Sequence, residues 1–218
     1  HLNLNMFIID FDDTLFDTQR YKHARLESVK KCGVSADEYW QTYREARNTP
    51  DGVFTYSDHR HAEVLALCGY DEKKMLAALD ETSNPTALPE FLFDDTQIFL
   101  DTLKFYGEPM VLLSLGNPSY QELKTKHSGV APYFDRSFMV YDTKKHILEE
   151  LFAEVSAKEV WFINDKVQET KELKKAFPHM RVVLKVSENI PFDEYKESEL
   201  PFFYTLEDIL DYVKKQKQ

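Results

Sequence analysis

The sequence contains little cysteine, little glycine, no excess of basic residues and no long apolar run. Its two cysteines, Cys32 and Cys68, are too few for a disulfide framework or a four-cysteine zinc site, so reduced thiols in a cytoplasmic protein are expected. Gly107 and Gly116 are interpreted as turn glycines and not as parts of a nucleotide-binding fingerprint. No apolar run could span a bilayer, and no secretory signal precedes the first apolar stretch.

The formal net charge of −11 gives no basic footprint for a nucleic acid or an anionic membrane, so neither is an expected partner. The same charge repels an anionic substrate at long range, so such a substrate would need a local cation. Hydrophobic residues make up 43% of the chain, which predicts a globular protein. Residues 1–5 are interpreted as a remnant that is foreign to the natural chain, which is expected to start at Met6.

The stretch from Met6 to Leu15 joins an apolar run to three carboxylates and a hydroxyl. The run from Met6 to Ile9 has the length of a buried strand. Asp10 and Asp12 are two positions apart, so both side chains can leave an extended chain on one side. Such a pair suits a nucleophile, an acid/base group and an oxygen-binding cation such as Mg²⁺. An acidic turn that merely closes a strand is the alternative.

The rest of the chain divides into a helical part and an alternating part. Residues 17–92 read as consecutive helices with no convincing strand, opened by capping signals at Asp17 or Thr18, Ser35, Ser57 and Asp71. From Asp94 onward, apolar strands alternate with helices, which predicts parallel crossovers. We therefore expect an α/β fold. Its Rossmann-like, doubly wound parallel sheet would be formed by 6–16 and 93–218, with an all-helical cap domain inserted at 17–92.

Three predicted strands end in polar groups, at Asp10, at Ser114 and at Asn164-Asp165, and Lys144 follows a fourth. Ligands of open α/β sheets bind outside the carboxyl ends of the strands, so these groups should converge.

In this order the residues resemble the motifs of the haloacid dehalogenase-like superfamily of aspartate-nucleophile hydrolases. The segments 93–114 and 120–135 resemble the family around its second motif, whereas the helical insert matches only in its position. The matching positions are Asp10, Asp12, Thr14, Ser114, Lys144, Asp165 and Glu169.

The resemblance implies an Mg²⁺-dependent phosphatase acting on a small phosphorylated metabolite, as a monomer or weak homodimer. It makes Asp10 the nucleophile and Asp12 the acid/base, with Asp10, the Asp12 carbonyl and Asp165 as metal ligands. It also implies phosphate contacts from Ser114 and Lys144, with Thr14 supporting the first loop.

Several positions depart from the family's usual pattern. Asp13 and Asn164 stand where many members carry glycine, and Glu169 stands where Asp is common, so Asn164 and Glu169 are expected to support the site from behind. Lys145 competes with Lys144, which is preferred because Leu148 and Leu151 then follow at the family's spacing.

Substrate specificity is assigned to the insert, because the core residues are accounted for by phosphate, metal and proton transfer. The loop from Asn48 to Tyr56 and the helix after it offer Tyr56, His59 and Arg60 as candidate contacts.

Other functions stay open on sequence alone. A phosphomutase uses the same core, whereas a dehalogenase has no need of Asp12 as a leaving-group acid. A phospho-accepting signalling module would carry its acceptor later in the chain and would lack the insert. A non-catalytic relative that binds phosphorylated ligands is disfavoured by the intact Asp10 and Asp12 pair.

Overall fold

A computed structural model describes residues 5–154 and 159–216. Its strands are Asn5–Ile9 (β1), Met110–Leu115 (β2), Arg136–Val140 (β3), Glu159–Asn164 (β4), Arg181–Lys185 (β5) and Phe202–Phe203 (β6). They form one sheet in the order β3-β2-β1-β4-β5-β6, and every neighbouring pair is parallel, which confirms the predicted doubly wound fold. Asn5, within the predicted remnant, pairs with Glu159, while residues 1–4 lie outside the described part.

Strand β1 occupies the centre of the sheet because its side chains are apolar on both faces. Phe7 and Ile9 pack into one hydrophobic cluster, whereas Met6 and Ile8 pack into another on the opposite face. This division follows from the two-residue repeat of a strand, and a strand covered on both faces reads as a continuous apolar run. The central position of β1 places Asp10 at the middle of the carboxyl edge.

The six helices of the core cover both faces of the sheet. The helices are Thr96–Phe105 (α5), Pro118–His127 (α6), Lys145–Glu154 (α7), Val167–Ala176 (α8), Phe192–Glu197 (α9) and Leu206–Gln216 (α10). Apolar residues of α5 and α10 pack on the face that carries Phe7 and Ile9, whereas those of α7 and α8 pack on the opposite face. Helix α9 was not predicted.

The insert consists of four helices around a small hydrophobic cluster of their own. They are Thr18–Lys30 (α1), Ala36–Arg47 (α2), Asp58–Leu67 (α3) and Glu72–Ser83 (α4). Each begins at a predicted capping residue, since Asp17, Ser35, Ser57 and Asp71 all accept a backbone N–H three residues on. Asp95, which precedes α5, makes no such capping hydrogen bond, and its carboxylate accepts the N–H of Glu207 instead.

The insert leaves and rejoins the core at adjacent points. The N–H of Asp17 donates to the carbonyl of Phe91 at 2.7 Å, and the N–H of Phe93 donates to the carbonyl of Leu15 at 3.2 Å. The two connecting segments are therefore hydrogen-bonded to each other directly beyond the first loop. This arrangement holds the helical insert over the carboxyl edge of the sheet. No helix in the described ranges is long and apolar enough to cross a membrane.

Candidate active site

Asp10 lies at the carboxyl end of β1 with both carboxylate oxygens in use. Its side chain is buried, with the residue 5% exposed. The hydroxyl of Thr14 donates to Oδ2 at 3.0 Å, and the ammonium of Lys144 donates to Oδ1 at 2.8 Å. The carboxylate is thereby fixed in one orientation at the floor of the site. Two predicted site residues, Thr14 and Lys144, are brought to the predicted nucleophile.

The first loop turns sharply immediately after Asp10. The N–H groups of Thr14, Leu15 and Phe16 all donate to the carbonyl of Phe11, at 3.2, 2.9 and 3.2 Å. Asp13 has a φ of 60°, a left-handed conformation that favours glycine and costs other residues energy. This explains why glycine is suited to the position that Asp13 occupies. Burial raises the pKa of Asp13 to about 6, against the hydrogen bond that Gln19 donates to it.

Of the two neighbouring lysines, Lys144 enters the site and Lys145 does not. Lys144 is 1% exposed and bridges Asp10 and Glu169, its Nζ lying 3.0 Å from the Glu169 carboxylate. Burial alone would lower the pKa of Lys144, but the two carboxylates outweigh it and raise the pKa above its ordinary value. Lys145 lies on the exposed face of α7 near Glu149. Of the two lysines, Lys144 is therefore the one that the structure places beside Asp10.

Asp165 follows β4 and meets Asp10 from the neighbouring strand. It is 3% exposed, and its Oδ1 has no hydrogen-bond partner among the described residues. Burial and the Asp10 carboxylate together raise the pKa of Asp165 well above its usual range. A buried carboxyl group with one unpartnered oxygen, placed beside a second carboxylate, is costly unless a cation neutralises both.

The carboxylates of Asp10 and Asp165 and the backbone carbonyl of Asp12 are chemically suited to bind a magnesium ion. In the described part of the chain, no set of three or more His, Cys, Asp or Glu side chains is arranged around a common metal position. Two carboxylates and a backbone carbonyl are nevertheless a suitable set, because Mg²⁺ keeps several waters and also takes substrate oxygens. The orphaned oxygen of Asp165 next to Asp10 is the feature that calls for such an ion.

Glu169 and Asn164 lie behind this pair. The amide of Asn164 donates to the Glu169 carboxylate at 2.9 Å and to the hydroxyl of Thr170 at 3.0 Å. Burial would raise the pKa of Glu169, but Lys144 outweighs it and lowers the pKa. Glu169 therefore helps to hold Lys144 in position, and Asn164 ties Glu169 to the end of β4.

Asp12 is held by helix α6, which the sequence analysis did not assign to the site. Lys124 donates to Oδ1 of Asp12 at 2.7 Å, and Gln121 donates to Oδ2 at 2.7 Å. Thr18 also donates to Oδ1, at 2.9 Å. Burial would raise the pKa of Asp12, but Lys124 and these hydrogen bonds lower it to about 2. Asp12 is thus an ionised carboxylate in this arrangement.

Ser114 lies at the same place, since the Gln121 amide also donates to its hydroxyl at 2.6 Å. Gln121 and Lys124 are three positions apart on α6, so they share one face of the helix. This spacing is the only feature of the sequence that links Gln121 and Lys124, and it does not indicate which part of the core their helix face contacts. Asp10, Asp12, Ser114, Lys144 and Asp165 therefore converge at this edge of the sheet, together with Gln121 and Lys124.

A cavity of about 420 Å³ lies between this edge of the sheet and the helical insert. Asp10, Asp12 and Asp165 line it, as does Glu169, whereas buried Thr14, Ser114 and Lys144 lie outside its lining. From the insert, the lining includes several aromatic and basic side chains. They are Tyr21, Lys22, Arg25, Tyr43, Arg47, Phe54 and Tyr56.

The specificity candidates are placed differently from one another. Tyr56 lines the cavity, but His59 and Arg60 are exposed and do not. The reason is local, because Ser57 caps α3 and its first turn faces solvent, while His61 is the buried residue of that turn. The expected contacts from His59 and Arg60 are therefore corrected to Tyr56 and the other insert residues that line the cavity.

Arg25 ties the insert side of the cavity together. It is 1% exposed, forms an ion pair with Asp58, and donates to the hydroxyls of Tyr21 and Tyr56 at 2.9 and 2.8 Å. The Tyr21 hydroxyl in turn lies 2.5 Å from that of Tyr120 on α6. This buried network joins α1 and α3 of the insert to the core.

Comparison with solved structures identifies the fold. No protein-family model and no curated protein matches the chain. A structure named as a haloacid dehalogenase-like hydrolase of Burkholderia xenovorans aligns over 99% of both chains, with a TM-score of 0.77 and 17% identity. A β-phosphoglucomutase-named structure of Thermotoga maritima aligns over 97% of this chain and 99% of its own, with a TM-score of 0.65 and 16% identity. The chain has the haloacid dehalogenase-like fold.

A third structure is named as a haloacid dehalogenase-like (HAD) hydrolase of Bacillus subtilis bound to magnesium. It aligns over 97% of this chain and 99% of its own, with a TM-score of 0.58 and 17% identity. Other matches are named as a phosphatase and as L-2-haloacid dehalogenases. One fold thus carries several reactions, so the reaction has to be argued from the site itself.

Proposed function

We propose that the protein is a hydrolase of the haloacid dehalogenase-like superfamily, a Mg²⁺-dependent phosphatase that acts on a small phosphomonoester. The observation that carries this proposal is the meeting of Asp10 and Asp165 at the carboxyl edge of the sheet. Asp10 is oriented by Thr14 and Lys144, while a buried oxygen of Asp165 has no partner in the described ranges. Phosphoryl transfer requires mainly such positioning and charge neutralisation.

The carboxylates of Asp10 and Asp165, with the backbone carbonyl of Asp12, would hold the magnesium ion. When bound, the ion neutralises the two acids and the negative charge of a phosphoryl group, which the net charge of −11 makes necessary. The magnesium bound in the Bacillus subtilis hydrolase supports the choice of this metal.

Asp10 is the proposed nucleophile. Its carboxylate oxygen forms a bond to phosphorus, and the bond from phosphorus to the leaving oxygen breaks, which leaves an aspartyl-phosphate. Water then attacks the same phosphorus, the bond to Asp10 breaks, and inorganic phosphate departs. Lys144 remains within hydrogen-bond distance of Asp10 and supplies a fixed positive charge beside the reacting group.

Asp12 handles the protons of both steps in this proposal. As an ionised carboxylate it is ready to take a proton from the attacking water. Protonation of the leaving oxygen requires the opposite state, so Asp12 must first take up a proton from solvent and then pass it to that oxygen as the bond to phosphorus breaks. Substrates whose leaving oxygen is stable as an anion place the least demand on this first step.

The substrate is proposed to be a small phosphorylated metabolite, because the cavity of about 420 Å³ is covered by the insert. The test is phosphate release from a panel of phosphorylated metabolites, measured with Mg²⁺ and with a chelator. We expect release only with Mg²⁺ and none from the Asp10→Asn variant. Halide release from 2-haloacids, or isomerised sugar phosphate without free phosphate, would instead identify a dehalogenase or a phosphomutase.

A further inference from the structure

The insert side of the cavity carries two basic residues that differ from the other cations of the site. Among the residues that the structure describes, Lys22 and Arg47 form no ion pair, whereas Arg25 pairs with Asp58 and Lys124 pairs with Asp12. Both Lys22 and Arg47 line the cavity. The charge of Arg47 is therefore available to a ligand, as is that of Lys22, which acts on Asp13 without forming an ion pair. The charges of Arg25 and Lys124 are already neutralised within the protein.

The partners of these two cations are aromatic rings. The Lys22 ammonium lies 5.2 Å from the ring centre of Tyr43, and the Arg47 guanidinium carbon lies 5.2 Å from the ring centre of Phe54. Such contacts hold a cation over a ring face without removing its charge. They pre-position both charges, so an anion that binds there orders less side chain on arrival.

The aromatic lining continues from the insert into the core. The ring centres of Tyr43 and Tyr56 are 5.1 Å apart, and those of Tyr56 and Tyr120 are 5.0 Å apart. These three tyrosines form a continuous wall on the cavity, which we call the tyrosine wall. A flat or apolar skeleton could pack along it between the acidic floor and the two cations.

The cavity lining is buried at the carboxylate floor and more exposed at the two basic residues of the insert. Asp10 and Asp165 on the floor are buried, Lys22 is half-buried and Arg47 is exposed. A ligand that spans the cavity from its buried floor to its exposed rim would therefore meet the carboxylates that would hold magnesium at one end and the charge of Arg47 at the other. Lys22, whose charge also acts on Asp13, lies on the same lining. In a protein whose net charge is −11, unpaired cations inside a cavity also offset the long-range repulsion of an anion.

We propose that Lys22 and Arg47 form a second anion subsite, so that the substrate carries a carboxylate or a second phosphate on its leaving group. The skeleton between the two anionic ends would pack against the tyrosine wall. This inference rests on the proposed phosphatase function, because it takes the first phosphate to lie at Asp10.

Matched aryl phosphates test this inference. Phenyl phosphate, 4-carboxyphenyl phosphate and 1,4-phenylene bisphosphate differ only at the far end, and comparison of the last two separates a carboxylate from a phosphate as the preferred anion. For the wild type we expect kcat/KM for the better of the two substrates with a second anionic group to exceed that for phenyl phosphate by on the order of tenfold, mainly through KM.

Lys22→Gln and Arg47→Gln should each reduce the ratio of kcat/KM for the better substrate with a second anionic group to kcat/KM for phenyl phosphate, and the double variant should abolish this preference. Arg44→Gln is the matched control, because Arg44 is exposed on the same helix as Arg47 but does not line the cavity. A wild type without the preference, or an equal effect of Arg44→Gln, would overturn the inference while leaving the phosphatase proposal intact.

Binding supplies a readout that needs no turnover. Titration calorimetry with phenylphosphonate and 4-carboxyphenylphosphonate, in the presence of Mg²⁺, should show on the order of tenfold tighter binding of the carboxylated compound. The double variant should bind both equally. If no ester is hydrolysed but this difference is present, the phosphatase proposal fails and the subsite stands. Equal binding by the wild type contradicts the subsite.

Discussion

The Lys124 ammonium donates a hydrogen bond of 2.7 Å to Asp12, although the two residues lie 112 positions apart in the chain. The contact fixes the carboxylate that is proposed to move protons, and it lowers the pKa of Asp12 to about 2. Lys124 is 3% exposed, so little solvent weakens the pair. The charge state of Asp12 thus depends on a residue of α6 that itself has no assigned part in the chemistry.

Replacing Lys124 should change the pH dependence of turnover. In Lys124→Met the carboxylate stays partly buried without its counter-charge, so the pKa of Asp12 rises. The acid limb of the kcat profile, where the base becomes protonated, should then move to higher pH. Lys124→Arg should restore most of the wild-type profile, and Lys126→Met, on the exposed face of α6, should leave it unchanged. An unshifted profile in Lys124→Met would separate Lys124 from the function of Asp12.

Lys144 and Lys145 provide a comparison of neighbouring lysines. Lys144→Met leaves the buried carboxylate of Asp10 and the partly buried carboxylate of Glu169 without their shared cation. Loss of one partner of a buried ion pair typically costs about 3–5 kcal/mol of unfolding free energy. Lys145→Met removes only an exposed charge and should change stability by less than about 0.5 kcal/mol. Urea unfolding without metal measures both. Similar losses in the two variants would disagree with the placement of Lys144.

Asp165 should make the metal-free protein less stable and the metal-bound protein more stable. Asp165→Asn removes a buried acid that faces Asp10, so without metal the variant should unfold at a higher temperature than the wild type. Added Mg²⁺ should raise the melting temperature of the wild type but not of Asp165→Asn, because binding stabilises only a state that holds the ligand. Asp51→Asn, at an exposed loop position, should respond to Mg²⁺ like the wild type. A full magnesium response in Asp165→Asn would exclude Asp165 as a ligand.

His61 should make the stability of the insert depend on pH. It is completely buried between Thr42 and Tyr56, and burial lowers its pKa to about 3 from an ordinary value of 6.5. Between these values the unfolded chain binds a proton that the folded protein does not. The stability that His61 contributes is therefore present above pH 6.5 and is lost progressively as the pH falls toward 3, at up to about 1.4 kcal/mol per unit.

Urea unfolding at pH 7.5, 6 and 5 measures this dependence. His61→Gln should be less stable at pH 7.5, but its unfolding free energy should fall less steeply toward pH 5 than that of the wild type. His146→Gln, which changes a partly exposed histidine, should keep the wild-type slope. Equal slopes for the wild type and His61→Gln would show that His61 is not the titrating group.

Most of the fold could be predicted from the sequence because its signals are local. The apolar run from Met6 to Ile9 predicts a central strand, and capping residues such as Ser35 and Ser57 predict where the insert helices begin. Helix α9, by contrast, has only six residues, which is too short for a helical periodicity to show.

The site was predictable only where strands end. Asp10 and Asp165 follow directly from the rule for open α/β sheets, since their positions depend on the sheet alone. Gln121 and Lys124 depend on how α6 is rotated, and His59 depends on which face of α3 meets the core. These are tertiary relationships, so no local pattern specifies them. The boundaries 17–92 and the roles of the site residues stay predictions.

Chemical trapping of the aspartyl-phosphate tests the central claim most directly. The enzyme is quenched in acid during turnover with Mg²⁺ and treated with borohydride, which reduces an acyl phosphate to an alcohol. The account predicts homoserine at position 10, found by mass spectrometry of the peptide that contains Phe11 and Leu15. It also predicts no homoserine without Mg²⁺, without substrate, or in the Asp10→Asn variant. Steady phosphate release with an unmodified Asp10, or homoserine at another position such as Asp12, would contradict it.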